Sequence, residues 1–174
     1  MGLDIAAYSK LAKAELALDG DGEPLLEGYW NTHAKAWLNP DWPDRVAGLE
    51  DESWYAFGES MSFRAGSYSG YNDWRERLAQ LAGYPATETE SASLGARSLH
   101  SAACWNGATG PFSELIDFSD CEGSLGPEVS KKLLADFIEF EPQASAIGGR
   151  FYDLYAEWKK AFELAADGGM VCFH

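Results

Sequence analysis

Basic residues are scarce in this chain: 13 Lys and Arg stand against 28 Asp and Glu among 174 residues, a formal charge of −15. A surface of that sign repels phosphate, which excludes general DNA or RNA binding. The carboxylates are spread along the chain rather than gathered in a block, so they read as solubilising charge more than as an imitation of DNA. Cysteine is scarce too, with three residues, at 104, 121 and 172, and no Cys-x-x-Cys pair. Neither a disulfide framework nor a zinc motif is written in that spacing, and a reducing compartment suits it best. No apolar run approaches the roughly 20 residues needed to span a bilayer. The start Met1-Gly2-Leu3-Asp4-Ile5-Ala6 lacks the basic region of a signal peptide, and Ala6 fails the Ser or Thr preference of a myristoylation signal. These absences predict a soluble, cytoplasmic protein without a membrane partner.

Nucleotide and nucleophile fingerprints are missing as well. Gly66-Ser67-Tyr68-Ser69-Gly70 is neither a Walker loop nor G-x-G-x-x-G, and Tyr68 occupies the centre where a hydrolase elbow needs its serine. No sequence motif points to a bound cofactor.

Apolar residues, in contrast, make up 46% of the chain and aromatics 14%, enough to offset the entropy of ordering one domain. The spacing of Leu3, Ile5 and Ala7 predicts a first strand, while the Ala-rich stretch over 10–18 is equally compatible with helix. Asp19-Gly20-Asp21-Gly22-Glu23-Pro24 reads as a turn, because Pro24 and Trp30 stand where a calcium loop needs Gly and Glu. Residues 25–38, with Tyr29, Trp30 and Trp37, suit a strand beside a pocket, and His33 is a lone histidine without ligand spacing. Two prolines make 39–44 a rigid loop, and Trp54-Tyr55-Ala56-Phe57 reads as a short buried strand.

The stretch 63–83 concentrates the chemistry. A Gly, Ser and Tyr loop carrying Arg64 is expected to run into a helix capped by Asn72, or by Ser69, and stopped by Gly83, with Trp74, Leu78 and Leu81 on one apolar face. Free amides at such a helix start favour anions. Arg64, Ser67, Ser69 and Asn72 are therefore candidate contacts to phosphate or polar groups, with Tyr68, Tyr71 and Trp74 as candidate stacking surfaces. An ordinary loop is the plainer reading of the same residues.

Residues 86–98 read as an exposed connection turning helical near Leu94. His100 and Cys104 lie four apart, a spacing that one helical face could join, although packing is the commoner role of such a cysteine. Asp117, Asp120 and Glu122 form a short acidic cluster, a weak metal candidate that capping or solvent exposure explains equally well. Pro127 opens a helix with Val129, Leu133, Leu134, Phe137, Ile138 and Phe140 inward and Lys131, Lys132, Asp136 and Glu139 outward; Pro142 ends it. A last helix carries Phe151, Leu154, Tyr155, Trp158 and Phe162, and Met170–Phe173 reads as a terminal strand able to pair with the first. The expected fold is thus a single α+β domain over 1–174, with a small, mostly antiparallel sheet holding both terminal strands and about three main helices packed on it.

Three blocks also look familiar together: Met1-Gly2-Leu3-Asp4-Ile5-x-Ala7-Tyr8, Trp54-Tyr55-Ala56-Phe57 through Tyr71-Asn72-x-Trp74-Arg75, and Phe118-Ser119-Asp120-Cys121-Glu122-Gly123-x-x-Gly126-Pro127. They cover about a third of the chain and resemble a family of small uncharacterised phage and prophage proteins. The resemblance implies an accessory protein of the host cytoplasm, with counter-defence as one niche, and carries no catalytic assignment. Three functions follow as expectations. The first is capture of a small anionic ligand, such as a nucleotide-derived signal, at residues 64–74. The second is an acidic interaction protein that blocks a host protein. The third, a metal-assisted hydrolase at Asp117, Asp120 and Glu122, is last, because no nucleophile, base and oxyanion donor can be assembled from the motifs.

Overall fold

The computed structural model describes residues 2–91 and 95–174. In chain order its strands and helices are β1 Gly2–Tyr8, β2 Ala12–Lys13, β3 His33–Lys35, β4 Trp54–Ala56, β5 Ser60–Ser67, α1 Tyr68–Leu81, β6 Thr87–Ser91, β7 Gly95–Leu99, α2 Ser101–Trp105, α3 Ser113–Ile116, β8 Gly123–Leu125, α4 Pro127–Glu139, α5 Glu141–Ile147, α6 Gly149–Ala165 and β9 Met170–Phe173. The architecture is α+β. The main sheet has the order β5-β1-β9-β8, with each neighbouring pair antiparallel.

β1 forms as its alternation requires: Leu3, Ile5 and Ala7 are buried while Asp4 faces out. The expected pairing of the terminal strands is present, with Ile5 opposite Phe173 and Tyr8 opposite Met170. The Ala-rich stretch after β1 gives the two-residue β2 and no helix. The Asp19 turn is built as expected, its carboxylate accepting the amides of Asp21 at 2.9 Å and Glu23 at 3.0 Å. Within 25–38 only His33–Lys35 is strand, whereas Trp54–Ala56 forms β4 as anticipated. These short strands make a second sheet, β2-β4-β3, over a smaller core of Ala34, Ala36, Tyr55, Met170 and Cys172.

The stretch around Arg64 is a strand and not a loop. β5 alternates exposed Ser60, Ser62 and Arg64 with inward Met61, Phe63 and Ala65, and pairing with β1 satisfies a backbone whose Ser and Gly content suggests a loop. Gly66, at φ +119, begins the turn into α1. That helix starts earlier than either expected cap: Ser67 is the N-cap, its hydroxyl accepting the Gly70 amide at 3.1 Å. Its end is as expected, with Gly83 at φ +80 just beyond Ala82.

α1, α4 and α6 supply most of the main core against the sheet, together with Phe112, Leu115 and Phe118. Trp158 of α6 is fully buried at its centre, with Tyr71, Trp74, Phe63, Phe162 and Phe173 ring centroids 5.1–5.9 Å away. On α4 two residues depart from the expected faces. Ile138 is 56% exposed, whereas Asp136 is buried, because its carboxylate accepts the Phe112 amide at 2.8 Å and pairs with Lys132 at 2.9 Å. Pro142 ends α4 but also occupies the first turn of the short α5, which the sequence reading passes over. The 86–98 connection is likewise a hairpin: Thr87 to Glu90 alternates Thr with Glu, and Thr87 pairs with Leu99. Leu94, where a helix is expected, lies outside the described residues. Among the described residues, no helix is long and apolar enough to cross a membrane.

Glu76 joins α1 to α2. Its carboxylate accepts the His100 amide at 3.0 Å and the Ser101 amide and hydroxyl at 2.9 Å each. Burial works to raise its pKa, yet these hydrogen bonds outweigh burial and leave it below the ordinary value. Glu76→Ala should therefore lower unfolding free energy in urea by about 1–3 kcal/mol, the range for losing charge-assisted hydrogen bonds. The sign of the pKa shift adds a pH dependence. This part of the stability is present above the unfolded carboxylate pKa and fades as pH falls through the lower folded value.

Candidate functional site

The seven candidate ligand contacts do not converge. Arg64 projects from the outer face of β5 and places Nη1 3.0 Å from both Asp4 carboxylate oxygens. Ser67 is occupied as the α1 cap, with the Ser69 hydroxyl 3.2 Å from its own. Tyr68 packs against the main core and Ser69 is exposed. Tyr71 is fully buried in a three-ring cluster with Trp74 and Trp158, and burial drives its phenol far above the ordinary pKa. Trp74 is 5% exposed, its indole N–H donated to the Phe151 carbonyl at 3.2 Å. Asn72 points elsewhere: its amide nitrogen donates to Asp120 at 2.8 Å. The geometry of a helix explains the separation, since residues 72 and 74 lie about 200° apart around α1. Asn72 thereby links the helix to the acidic cluster, while Arg64, Ser67 and Trp74 border a different groove.

That groove, about 570 Å³, lies between the β5–α1 junction and the start of α6. Arg64, Arg77 and Arg150 line it, but so do Asp73, Asp153 and Glu157. The Arg77 guanidinium lies 4.8 Å from the Phe151 ring centroid. The groove is charge-balanced and offers little exposed aromatic surface.

The opposite side of α1 is different, and Arg75 organises it. The side chain is 5% exposed and donates to the carbonyls of Ile116, at 3.2 Å, and Phe118, and to the Asn72 side chain. Its guanidinium lies 4.7 Å from the Tyr71 ring centroid. These bonds fasten the turn over 116–122 to the helix. The turn is shaped further by Ser119, whose hydroxyl accepts the amides of Cys121 at 3.3 Å and Glu122 at 3.1 Å. Asn39 donates to the Glu122 carbonyl at 3.1 Å, which brings the proline loop alongside.

Between those two loops lies a cavity of about 610 Å³, lined by Asp41, Trp42, Arg75, Trp105, Asp117, Asp120 and Glu122 among others. A second cavity, about 550 Å³, shares Arg75, Trp105 and Asp120 and continues past Asp73 and Glu76 to Glu90 and Arg97 on the hairpin. Together they make one trough with seven carboxylates, at 41, 73, 76, 90, 117, 120 and 122, against two arginines, at 75 and 97. Trp105, 43% exposed, stands where the two cavities meet. Asp117 accepts from the Trp42 indole at 3.3 Å and lies 3.6 Å from Arg45. Burial nonetheless pushes its pKa up, against the opposing pull of Trp42, Arg45 and Arg75. Asp41 and Glu122 enter no ion pair among the described residues.

The acidic cluster therefore does share one cavity, but two of its three carboxylates already have protein partners, Trp42 and Arg45 for Asp117 and Asn72 for Asp120. Among the described residues, no group of three or more His, Cys, Asp or Glu is arranged to hold a metal ion. His100 and Cys104 serve packing. The ring nitrogen of His100 is 2.5 Å from the Tyr84 carbonyl, and burial pushes the Cys104 thiol up to about 11. His33 contacts the neighbouring Thr32 hydroxyl at 2.9 Å. His174 has its pKa lowered by burial, which Asp4 partly offsets.

Arg75, Trp42 and Trp105 are not among the contacts expected from the sequence. For Arg75 a signal exists: it stands four residues after Tyr71 and four before Ala79, both buried, so it shares the inward face of α1. Trp42 and Trp105 carry no comparable local signal. No family model, curated protein or solved structure matches this chain, so its own geometry carries the functional reading.

Proposed function

We propose that this chain is a binding protein, not a catalyst, whose acidic trough receives a basic segment of another protein. The observation that carries this reading is the excess of seven carboxylates over two arginines around the exposed Trp105. Complementary charge of that kind speeds encounter and fixes register, and an exposed indole supplies the anchoring apolar area. The net charge of −15 favours the same class of partner at longer range. The resemblance to phage and prophage proteins adds a setting, in which the partner is a host protein that the trough occupies and blocks.

Asp41→Lys combined with Glu122→Lys tests the reading without disturbing folding contacts, because both side chains are exposed. Calorimetry with a synthetic Arg- and Lys-rich peptide should show at least a tenfold loss of affinity in the double variant. In the unaltered chain, affinity should decline as salt rises. Equal affinity in both proteins would remove the trough from the account.

A second reading is supported by Arg64, Arg77 and Arg150 in the α1–α6 groove: capture of a small anionic ligand, including a nucleotide-derived one. It ranks behind the first because Asp73, Asp153 and Glu157 share that groove and Asp4 already pairs with Arg64.

A further inference from the structure

We infer that the Trp42–Trp105 end of the trough is an arginine-selective subsite, taking the guanidinium of the incoming basic segment between indole surface and carboxylates. This inference rests on the trough reading above and adds the chemistry of its anchor. Both tryptophans line the same cavity as Asp41, Asp120 and Glu122. Each indole is held by its own N–H: Trp42 donates to Asp117, and Trp105 donates to the Ile116 carbonyl at 3.4 Å. The rings are thus oriented before any ligand arrives, and no indole donor is left to repel a cation.

The carboxylates divide in the same way. Asp120 uses one oxygen, Oδ2, to accept from Asn72, which fixes the side chain and leaves Oδ1 without a partner among the described residues. Glu122 and Asp41 stand at the rim without an ion pair among the described residues. Arg75 contributes positive charge to the cavity floor, but its Nη atoms are directed to the Ile116 and Phe118 carbonyls and to Asn72. Asp117 is already engaged by the Trp42 indole at 3.3 Å and by Arg45 at 3.6 Å, so Asp41, Asp120 and Glu122 supply the carboxylates of the subsite.

Such a setting favours arginine over lysine. A guanidinium is planar, stacks on an indole, sheds water more readily than an ammonium and binds carboxylates through two N–H groups at once. An ammonium is a compact, strongly hydrated charge that gains mainly from the general field. Charge alone would treat the two residues alike.

Two labelled peptides of equal length, one of Gly-Arg repeats and one of Gly-Lys repeats, titrated into the full chain by fluorescence anisotropy, separate these contributions. The Gly-Arg peptide should bind at least tenfold more tightly. Trp105→Leu should bring the ratio close to one while the Gly-Lys peptide keeps its salt-dependent binding. Trp30→Leu, at an exposed indole outside the trough, should leave the ratio unchanged. If Trp105→Leu fails to fold by near-UV circular dichroism, Glu122→Gln replaces it and should lower the ratio at least threefold. Equal binding of both peptides to the unaltered chain, or a ratio indifferent to these trough variants, overturns the subsite and leaves the trough standing. Binding of neither peptide removes both.

Discussion

Trp158→Ala should lower the unfolding free energy by about 3–5 kcal/mol, the range for removing a large aromatic from a packed core. Trp158 is fully buried, and its ring touches elements distant in sequence: Phe63 on β5, Tyr71 and Trp74 on α1, and Phe173 on β9. Its loss leaves a cavity bordered by rings that the sheet and two helices hold in place, so little collapse can refill it. Domains of this kind have total stabilities of about 5–15 kcal/mol, and the loss is a large share of that. Trp158→Phe should cost much less, because the indole nitrogen of Trp158 has no hydrogen-bond partner among the described residues to lose. Urea denaturation of both variants checks the pair; a loss below about 1 kcal/mol for alanine would deny Trp158 its place at the centre of the core.

Arg75→Met joins stability to function. Methionine fills much of the same space, yet it leaves the Phe118 carbonyl without its donor, the Ile116 carbonyl with Trp105 alone, and the Asn72 side chain with Asp120 alone. Relief from burying a charge works in the opposite direction. The unsatisfied Phe118 carbonyl and the lost bonds to Ile116 and Asn72 outweigh it, since a buried group left without its partner costs about 1–3 kcal/mol, and the expected net loss is about 2 kcal/mol. The turn carrying Asp117, Asp120 and Glu122 loses its fastening to α1 at the same time. Peptide affinity should therefore fall together with stability, although residue 75 contributes positive charge to an acidic trough. A purely electrostatic role for Arg75 predicts tighter binding of a basic peptide in Arg75→Met, so the direction of the change discriminates. Arg75→Lys should recover little, because one ammonium cannot reproduce the guanidinium fork that reaches two carbonyls and an amide.

The legible parts of the chain were those whose apolar period is long and unbroken. β1, β9, α6 and the C-terminal end of α1 follow from Leu3-x-Ile5-x-Ala7, from the terminal Met170–Phe173 run, from the Phe151-to-Phe162 stripe and from Gly83. β5 was not legible, because its Ser and Gly content has loop chemistry and only pairing with β1 makes it a strand. Asp136 misled for the opposite reason: an outward residue by composition turns inward to meet the Phe112 amide, a partner 24 positions away.

The candidate site was less legible than the fold. Its one local piece, Asp117, Asp120 and Glu122, was visible as an acidic cluster. The rest is assembled from Asp41 and Trp42 in a proline loop, Arg75 on α1, Trp105 at the end of α2 and Glu90 on a hairpin. Such a juxtaposition is set by tertiary packing and leaves no periodicity in the chain. The Arg64 stretch, conspicuous in sequence, is divided between strand β5, the cap of α1 and two faces of that helix, and only Asn72 of its candidate contacts reaches the trough.

The seven tryptophans report on every region at issue. Trp42 and Trp105 line the trough, Trp30 and Trp37 are exposed elsewhere, Trp54 lies in β4, and Trp74 and Trp158 are in the main core. Their indole N–H resonances, assigned by single Trp→Phe replacements and followed by NMR during titration with the Gly-Arg peptide, show whether a basic peptide occupies the trough. The Trp42 and Trp105 signals should shift together while those of Trp30, Trp37 and Trp158 stay in place. Movement of Trp30 and Trp37, or of Trp74 alone, with Trp42 and Trp105 unchanged would put the peptide outside the trough.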